Sequence, residues 1–426
     1  MKFVSATSLG CKVSAYDAEA ILKLFRDAGY VAADFEGRAD VIIINTCAVT
    51  GLSERKSRQA IRRAVSLNPG ALIIAAGCYP QIKPEEAAKI PGVSLVIGTA
   101  GRGNIVTLAE NVKPGSAPAI AVTDLTGSRG YERLGVDGHR GRTRAYLKIE
   151  DGCENFCSYC VVPYARGAVR SRPPEDILHE TERFAREGYK EIVVTGIEVA
   201  SYGKDLPGAS LTDVLCSISS VAGIERVRLS SAPPGLFTGS FVSEIKKMPK
   251  ICPHFHVSLQ SGCDETLKRM NRKYTSAGYR GAIDRILSAY PDAGITTDII
   301  TGFPGETERE FEKSYELVKS VPFSRLHVFP YSPRSGTPAA DYKNQVSDEI
   351  KKTRAKRMAE LGRILSESFA RRFINESRPV LFESETVPGA SVYEGYTDNY
   401  IRVRRKSKTR LTGEIVEIII KRSDIL

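Results

Sequence analysis

Short apolar runs recur along the first part of the chain. Phe3–Ala6, Val41–Ile44 and Leu72–Ala76 have the length of strands, and a polar stretch rich in helix-forming residues follows each of them. This alternation predicts a parallel α/β unit over residues 1–112, because parallel strands are buried on both faces and are joined by crossover helices. No periodicity continues from 113 to 144, where Gly, Ser and Arg follow Pro114, so this segment is predicted to be a linker.

The alternation resumes after the linker and predicts six further strands separated by helix-like stretches. The strands are predicted at Tyr146–Ile149, Ile192–Thr195, Arg226–Leu229, His256–Leu259, Thr297–Thr301 and Leu326–Phe329. Stretches such as Glu175–Glu187 and Glu308–Lys319 have the length that a crossover between parallel strands requires. A long basic helix with an apolar stripe follows, from Ser347 to about Phe373. Residues 145–373 are therefore predicted to form a partial or complete (β/α) barrel.

The pattern changes again over residues 374–426. The segments VLFES, YIRVRR and EIVEIII are separated by Gly and Asn turns, which predicts a small antiparallel β-barrel. The predicted fold class is therefore α/β, with an N-terminal parallel-sheet unit, a central barrel and a C-terminal antiparallel barrel.

Charge and cysteine content narrow the classes of function. The net charge is +11, and most of the excess of Lys and Arg lies between Lys351 and Leu426, which fits contact with RNA or a merely solvated basic surface equally well. The first residues lack the apolar segment of a secretory signal, and no apolar run approaches the roughly 20 residues of a membrane span, so a cytoplasmic protein without membrane contact is expected. Nine cysteines without an export signal favour metal ligation or redox chemistry over disulfides.

The most specific motif is the C-x₃-C-x₂-C run of Cys153, Cys157 and Cys160, which directly follows the predicted strand Tyr146–Ile149. Three thiolates in one loop are typical ligands of a cubane iron-sulfur cluster, in which the fourth iron is then open to a substrate or cofactor. A structural zinc site is the alternative, but such a site needs four ligands, and no obvious fourth lies nearby in sequence. The loop also follows the first barrel strand, at the face where barrel enzymes place their chemistry.

Three further cysteines share one position relative to predicted strands. Cys11, Cys47 and Cys78 each come directly after an apolar run, and the carboxyl ends of neighbouring parallel strands lie along one edge of a sheet. This arrangement favours a second cluster with three protein ligands over a coincidence of three buried cysteines. The remaining cysteines have no matching position and are interpreted as structural: Cys216, Cys252 and Cys263.

Several stretches resemble the methylthiotransferases, a branch of the radical S-adenosylmethionine superfamily. The stretches are LGCKVSAYDAE, INTCAVT, GCYPQ, KIEDGCENFCSYCVVPYARG, SLQSG and TGFPGET, and they span nearly the whole chain. LGCKV, NTCAVT and YLKIEDGC are most similar to the enzymes that act on threonylcarbamoyladenosine beside the anticodon of tRNA. The isopentenyladenosine branch tends to have Gln and Met where this chain has Lys12 and Val13. Two positions depart from the family pattern, Ser14 in place of a common Asn and Glu198 in place of a common His.

The resemblance implies two [4Fe-4S] clusters and S-adenosylmethionine as cofactors. The cluster on Cys153, Cys157 and Cys160 would bind the methionine amino and carboxylate groups and cleave the sulfonium to give a 5′-deoxyadenosyl radical. The cluster on the N-terminal cysteines would deliver the methylated sulfur. Tyr159, the aromatic residue just before the last cysteine of the motif, would contact S-adenosylmethionine. Residues that follow predicted strands would also contact it, although any one of them would equally fit an ordinary turn: Glu198, Gln260, Gly302, Phe303 and Pro304.

The C-terminal segment resembles the RNA-binding module of the family. Phosphate contacts are expected from basic side chains on or beside one predicted strand: Arg402, Arg404, Arg405, Lys406, Lys408 and Arg410. Tyr396 and Tyr400 either stack on bases or fill the barrel.

The expected function is insertion of a methylthio group at C2 of threonylcarbamoyladenosine in tRNA, with tRNA and an electron donor protein as partners. Three alternatives stay open. The substrate would instead be isopentenyladenosine of tRNA, or an aspartate of a ribosomal protein, or the chain would be a non-catalytic iron-sulfur protein that binds RNA.

Overall fold

The computed structural model describes residues 1–113, 115–127 and 130–426. The N-terminal part holds six strands and five helices: β1 Phe3–Ser8, α1 Lys12–Asp27, β2 Val31–Ala32, β3 Val41–Thr46, α2 Gly51–Leu67, β4 Leu72–Gly77, α3 Cys78–Ile82, α4 Pro84–Ala88, β5 Val93–Ile97, α5 Ile105–Asn111 and β6 Ala119–Ala121. All strand pairs are parallel, in the order β2-β1-β3-β4-β5-β6. Every residue of β3 and β4 is buried, which explains their continuous apolar sequence. The predicted parallel α/β unit is confirmed.

The sheet extends into the segment predicted to be a linker. Strand β6 lies within 113–144 and pairs with β5, and Leu134 and Val136 are buried in the central core. The short Ala-Ile-Ala strand at the sheet edge carries too little apolar periodicity to be recognised in the sequence. Pro114, Ser128 and Arg129, which belong to the predicted linker, lie outside the described residues.

The central part contains the predicted six alternating strands, two very short strands and eight helices. They are β7 Arg144–Lys148, β8 Glu150–Asp151, α6 Val162–Arg166, β9 Arg170–Ser171, α7 Pro174–Arg186, β10 Glu191–Thr195, α8 Leu211–Ser220, β11 Arg226–Leu229, α9 Gly239–Lys246, β12 His254–His256, α10 Asp264–Arg269, α11 Ser276–Ala289, β13 Gly294–Thr301, α12 Glu308–Lys319, β14 Phe323–Pro330 and α13 Asp348–Arg371.

The six alternating strands form two parallel sheets, β11-β10-β7 and β12-β13-β14, and the short strands β8 and β9 pair with each other antiparallel. Isolated parallel bridges from Val227 to Ile251 and from Ala232 to Val257 join them into one curved, barrel-like arrangement. Within the described ranges, the outer strands β7 and β14 do not pair with each other. Strand β12 ends at His256, where the sequence predicted the strand to begin, because Val257 and Gln260 pair with their neighbours only through single bridges.

The C-terminal part is a four-stranded antiparallel sheet. Strands β15 Ser377–Glu385, β16 Val392–Thr397, β17 Arg402–Lys406 and β18 Ile415–Ile419 pair in the order β17-β16-β15-β18. A further bridge between Val403 and Ile425 brings the end of the chain beside β17. The predicted antiparallel character is confirmed.

The C-terminal sheet packs against the amino ends of the barrel strands. Arg226 Nη2 donates to the Pro379 carbonyl at 2.5 Å, and Arg228 Nη1 donates to the Asp398 carbonyl at 3.0 Å. Both arginines also pair with the buried Glu191 carboxylate. The opposite, carboxyl ends of the barrel strands remain available for the cysteine loop.

A buried ion network joins the N-terminal sheet to the barrel. Asp17 on α1 pairs with Lys148 of β7, with Arg166 of α6 and with Arg102, each at 2.8 Å. Asp151 pairs with Lys148 at 2.6 Å and with Arg166 at 3.1 Å. All five side chains are at most 5% exposed. The network fixes α1, which begins beside Cys11, relative to the strands that lead into the central cysteine loop.

None of the helices in the described part of the chain is both long and apolar enough to cross a lipid bilayer.

Candidate active site

The central cysteine loop follows β8 at the carboxyl end of the first barrel strand. Cys153 N donates to the Gly167 carbonyl at 3.0 Å, and Cys160 N donates to the Cys157 carbonyl at 2.9 Å, so the loop folds back on itself. Gly152 has φ of 95°, and a Cβ at that position would lie 1.9 Å from the Ala168 carbonyl oxygen. Only glycine fits this turn.

The three thiols of this loop lie in one another's electrostatic field. Burial raises the pKa of Cys153 to about 11 and that of Cys160 to about 12, with additional contributions from the neighbouring thiols. Without a metal these two thiols are therefore protonated at neutral pH. A bound metal cluster displaces the protons, because a coordinated thiol is deprotonated.

An arginine that the sequence reasoning missed contacts this trio. Arg272 Nη1 donates to Cys157 Sγ at 3.2 Å, and Arg272 Nε donates to the Tyr274 hydroxyl at 2.9 Å. Tyr274 is held in turn by the carbonyls of Ser258 and Leu259. A hydrogen bond from a cation to a ligand sulfur stabilises negative charge on a cluster and raises its reduction potential.

The N-terminal cysteines lie together at the carboxyl edge of the parallel sheet. Cys11 precedes α1, Cys47 follows β3, and Cys78 is the first residue of α3 after β4. Burial raises the pKa of Cys47 to about 11, and the thiols of Cys78 and Cys11 add to the rise. The reversal of strand order between β1 and β3 places this edge at a topological switch point, where open α/β sheets bind their ligands.

Two facts test whether these residues fit iron-sulfur clusters. All six cysteines are free thiols, and each trio stands on one loop or one sheet edge. Across the described ranges, no three His, Cys, Asp or Glu side chains converge closely enough to hold a single metal ion. Cubane ligands bind different irons, so their sulfurs stand farther apart than the ligands of one ion, and a cluster does not require such convergence.

Arg166 links the two trios. Its guanidinium is buried, pairs with Asp17 and Asp151, and lies beside the Cys78 thiol, where it opposes the rise that burial causes in the pKa of Cys78. Arg166 Nε has no hydrogen-bond partner among the residues that the structure describes. A donor at this place is available to a sulfur of a bound cluster.

A cavity of about 240 Å³ lies between the segments that carry the two trios. Val49 and Thr50, which follow Cys47, form one wall, and the predicted cofactor residues Tyr159 and Gln260 form part of the other. The complete lining is Val49, Thr50, Tyr159, Gln260, Asp298, Ile300, Phe329, Pro330, Tyr331 and Ser332. Gln260 has φ of 65°, a strained conformation for a residue other than glycine that is typical of functional sites.

Glu198 lies beside the central trio with one oxygen unpaired. Asn155 Nδ2 donates to Glu198 Oε2 at 3.3 Å, and Glu198 N donates to Glu150 Oε2 at 2.8 Å. Oε1 of Glu198 and Oε1 of Glu150 are buried without a partner among the described residues. Burial raises the pKa of both carboxyl groups. Two unsatisfied carboxyl oxygens fit a cationic amino group such as that of a bound methionine.

The remaining predicted cofactor residues lie in the turn after β13, outside the lining of the cavity. Phe303 is fully buried and packs edge-on beneath Tyr159 at 6.2 Å between ring centroids. A Cβ at Gly302 would lie 2.4 Å from Cγ of Lys351, and the Pro304 carbonyl accepts from Arg269 Nε. Gly302, Phe303 and Pro304 thus shape the turn after β13 and support Tyr159, and their side chains do not line the cavity.

The basic strand carries less free charge than its sequence indicates. Arg402 and Arg404 on β17 both pair with Glu394 of β16, and Arg405 pairs with Asp424. Lys406, Lys408 and Arg410 are exposed, and none of the three forms an ion pair with a described residue. Within the predicted basic run, these three are the cations without an acidic partner among the described residues.

Tyr396 and Tyr400 are half-buried where the C-terminal sheet meets the barrel. Their rings stack on each other at 4.6 Å, and Tyr400 stacks on His254 at 4.3 Å. Arg144 and Arg228 lie over the Tyr400 ring at 5.4 and 4.7 Å. These rings join the C-terminal sheet to the barrel and also line a cavity at the surface, so both expected roles stay open.

Removing the free cations is expected to weaken binding of tRNA. The triple substitution Lys406→Gln, Lys408→Gln and Arg410→Gln should lower the affinity and reduce the slope of log K against log salt by up to about 3, roughly 1 for each phosphate that is no longer neutralised. The paired residues serve as the comparison: Glu394 offsets one of the two charges of Arg402 and Arg404, so Arg402→Gln with Arg404→Gln should reduce the slope by less than the triple substitution does. Fluorescence anisotropy with labelled tRNA at several salt concentrations measures both quantities, and an unchanged slope in the triple variant would contradict the assignment.

Comparison with known proteins identifies the family. Residues 147–318 match the Radical SAM superfamily, and residues 3–98 match the Uncharacterized protein family UPF0004. The chain is 40% identical over 423 residues to the threonylcarbamoyladenosine tRNA methylthiotransferase MtaB of Bacillus subtilis (strain 168), which covers 99% of this chain and 94% of the relative. It is also 40% identical over 403 residues to the MtaB protein of Thermotoga maritima, covering 94% of this chain and 91% of the relative.

Among solved structures, the radical S-adenosylmethionine methyltransferase TsrM from Kitasatospora setae superposes with a TM-score of 0.58 over 80% of this chain and 74% of that chain, at 15% identity, which supports the fold. The sequence matches to the two relatives cover nearly the whole chain, including the N-terminal sheet. The chain belongs to the methylthiotransferase family of radical S-adenosylmethionine enzymes.

Proposed function

We propose that the protein is a tRNA methylthiotransferase that adds a methylthio group to C2 of threonylcarbamoyladenosine beside the anticodon. The observation that carries the proposal is the pair of cysteine trios whose flanking segments meet at one cavity. The names and full-length coverage of the relatives, which are threonylcarbamoyladenosine tRNA methylthiotransferases, support the choice of substrate.

The chain's own residues would bind and position the reactants. When bound, a [4Fe-4S] cluster with S-adenosylmethionine supplies radical chemistry that can break an unactivated C–H bond of adenine. Cys153, Cys157 and Cys160 would hold that cluster, and the unpaired oxygens of Glu198 and Glu150 would accept the methionine amino group.

Tyr159 and Gln260 would line the adenosine side of the cofactor, with the turn of Gly302, Phe303 and Pro304 beneath Tyr159. The second trio, Cys11, Cys47 and Cys78, would hold a second [4Fe-4S] cluster, which would supply the chemistry of sulfur transfer. The separation of the two trios by one small cavity fits a reaction in which hydrogen removal and sulfur transfer occur at the same carbon.

The proposal extends to the organisation of the chain. Residues 1–112 would form the methylthiotransferase domain, 113–144 the connection, 145–373 a partial barrel of the radical S-adenosylmethionine type, and 374–426 a small RNA-binding β-barrel that binds tRNA with Lys406, Lys408 and Arg410. The contribution of Arg402, Arg404 and Arg405 would be smaller because acidic partners occupy them. An electron donor protein would supply the reducing electron, and a cytoplasmic location follows from the substrate.

Mass spectrometry of tRNA nucleosides tests the function. Cells without the gene should lack the 2-methylthio form of threonylcarbamoyladenosine, and the wild-type gene should restore it. Cys153→Ala should fail to restore it, whereas Cys216→Ala, which changes an exposed cysteine outside both trios, should succeed. Loss of methylthio-isopentenyladenosine or of a modified ribosomal aspartate would redirect the substrate, and absence of 5′-deoxyadenosine formation by reduced, reconstituted protein would indicate a non-catalytic role.

A further inference from the structure

One side of the cavity between the two cysteine trios is closed by direct contacts between its walls. Gly51 N, at the start of α2, donates to Ser332 Oγ, two residues after β14, at 3.2 Å. Further along α2, the Glu54 carboxylate pairs with the Arg334 guanidinium. We call these two contacts the α2 bridge. Because Ser332 is itself a lining residue, the bridge lies at the edge of the cavity.

The α2 bridge depends on a buried ion pair. The side chains of Glu54 and Arg334 are only 8% and 10% exposed. Glu54 also pairs with Arg58 at 2.7 Å and with Lys83 at 3.4 Å, both in the N-terminal part. Among the residues that the structure describes, Arg334 pairs with no other carboxylate, and its Nε has no hydrogen-bond partner. Loss of Arg334 would therefore leave Glu54 paired, whereas loss of Glu54 would leave a buried cation uncompensated.

On the N-terminal side, the helix that carries the bridge also holds the backbone of Cys47. Cys47 N donates to Ser57 Oγ at 3.2 Å, and Ser57 is fully buried on α2, three residues after Glu54. Ser57 Oγ donates in turn to the Cys47 carbonyl at 3.3 Å. A displacement of α2 would therefore move Cys47 with it.

On the barrel side, the segment after β14 reaches the central cysteine loop. Thr337 Oγ1 donates to the Arg334 carbonyl at 2.7 Å, which folds this segment back on itself. Ala339 N then donates to the carbonyl of Ser158, the residue directly after Cys157, at 2.8 Å. The α2 bridge is thus part of a continuous series of contacts from one cysteine trio to the other.

The bridge differs from the buried network of Asp17, which also joins the N-terminal sheet to the barrel. That network fixes α1, and none of its residues is among the described residues that line the cavity. The α2 bridge joins the two walls themselves, through a segment that carries Cys47 and a segment that contacts the central loop. It therefore determines how far apart the walls stand.

We propose that Arg334 is a positioning residue which, through Glu54, fixes the separation of the two cysteine trios and so couples hydrogen removal to sulfur transfer. The proposal rests on the proposed function, because it requires both trios to act on one substrate carbon. Reacting atoms must approach within about 3–3.5 Å, and a misplacement of about 1 Å can cost roughly 100-fold in rate. A loosened bridge would leave the central trio intact but would let the other wall move away. Cleavage of S-adenosylmethionine would then continue while less methylthio product forms.

The ratio of 5′-deoxyadenosine to methylthio product tests the assignment in the full-length, reconstituted protein with tRNA. In Arg334→Gln, iron content and cleavage of S-adenosylmethionine should match wild type, while the ratio should rise about 10- to 100-fold. Arg334→Lys keeps a cation opposite Glu54 and should keep a ratio close to that of wild type. Arg63→Gln is the matched control, because it breaks an exposed pair between the same helix and Glu36, and it should leave the ratio unchanged.

Hydrogen exchange measured by mass spectrometry gives a second readout that does not depend on catalysis. Arg334→Gln should raise amide exchange in segments 47–57 and 331–339, at both ends of the bridge, because local opening becomes less costly when a tertiary contact is lost. Exchange in α1, which the Asp17 network holds, should stay as in wild type. Arg63→Gln should leave both bridge segments unchanged. Equal exchange of segment 47–57 in Arg334→Gln and wild type would overturn the proposal.

Two outcomes of the activity measurement also overturn it. One is a wild-type ratio in Arg334→Gln, and the other is a fall of cleavage and product by the same factor, which would indicate a general loss of folded enzyme. If Arg334→Gln loses iron, Ser332→Ala decides, because it removes only the neutral contact with Gly51. A raised ratio in Ser332→Ala supports the proposal, and an unchanged ratio contradicts it.

Failure of the proposed function looks different, because wild type would then form no methylthio product. Hydrogen exchange still tests in that case whether Arg334 holds the segment that carries Cys47.

Discussion

Cys47→Ala is expected to abolish transfer of the methylthio group while leaving cleavage of S-adenosylmethionine intact. Cys47 belongs to the N-terminal trio, and the cavity separates that trio from the loop of Cys153, where cleavage is proposed to occur. Loss of one of three ligands should release the second cluster, so the iron content should fall by about half, from roughly eight to roughly four atoms per chain. Iron analysis and mass spectrometry of 5′-deoxyadenosine and of tRNA nucleosides measure the three quantities on one sample.

Two matched variants make this result specific. Cys252→Ala also truncates a buried cysteine, but it lies outside both trios, so iron and product should match wild type. Cys153→Ala should lose 5′-deoxyadenosine and methylthio product together. If Cys47→Ala retained methylthio transfer, or if it lost cleavage as completely as Cys153→Ala, the assignment of cleavage to one trio and of sulfur transfer to the other would be wrong.

Asp17→Asn is expected to destabilise the protein by about 3–5 kcal/mol, because it leaves three buried cations with too little negative charge. Lys148, Arg102 and Arg166 each lie 2.8 Å from an oxygen of Asp17. Asp27→Asn is the matched control: it lies on the same helix, its side chain is 56% exposed, and its pair with Lys23 should be worth less than about 1 kcal/mol. Urea unfolding of both variants at neutral pH measures the difference in free energy of unfolding.

The pH dependence of that difference has a defined sign. Burial alone would raise the pKa of Asp17, but Arg102, Lys148 and Arg166 lower it well below the usual value. A carboxyl group whose pKa is depressed by folding contributes stability above its unfolded pKa, about 3.9, and loses that contribution as the pH falls toward the folded value. The gap between wild type and Asp17→Asn should therefore be largest at neutral pH and should shrink below about pH 4. A gap that grows on acidification would contradict the ion network as its cause.

The positions of the cysteines could be predicted because they depend on local order. Each N-terminal cysteine follows a strand, and parallel strands bring their carboxyl ends to one edge whatever the detail of the packing. The contacts of Arg166 and Arg272 could not be predicted, since the partners of each come from distant segments that only the tertiary fold brings together. Both arginines lie within or near recognisable motifs, but a motif does not show which residues its arginines contact in the folded protein.

The basic strand β17 shows the same limit in a different way. The run of basic residues on β17 is visible in the sequence, and its location on a strand is confirmed. Glu394 pairs with two of the arginines and offsets one of their charges because the antiparallel register places it opposite Arg404, and register between strands is set by turns and packing. Counting charges along the chain therefore overestimates the cationic surface.

The stack of Tyr396, Tyr400 and His254 has a consequence for deletion experiments. Truncation before β15 would remove the cover from Arg226, Arg228 and the buried Glu191, so water would reach a charge cluster on which the amino ends of the barrel strands depend. A shortened protein that no longer modifies RNA would then have lost the packing that supports the barrel as well as its proposed contacts with RNA. The C-terminal sheet covers the amino ends of the barrel strands, so it is part of the barrel's structure and cannot be removed as an independent unit.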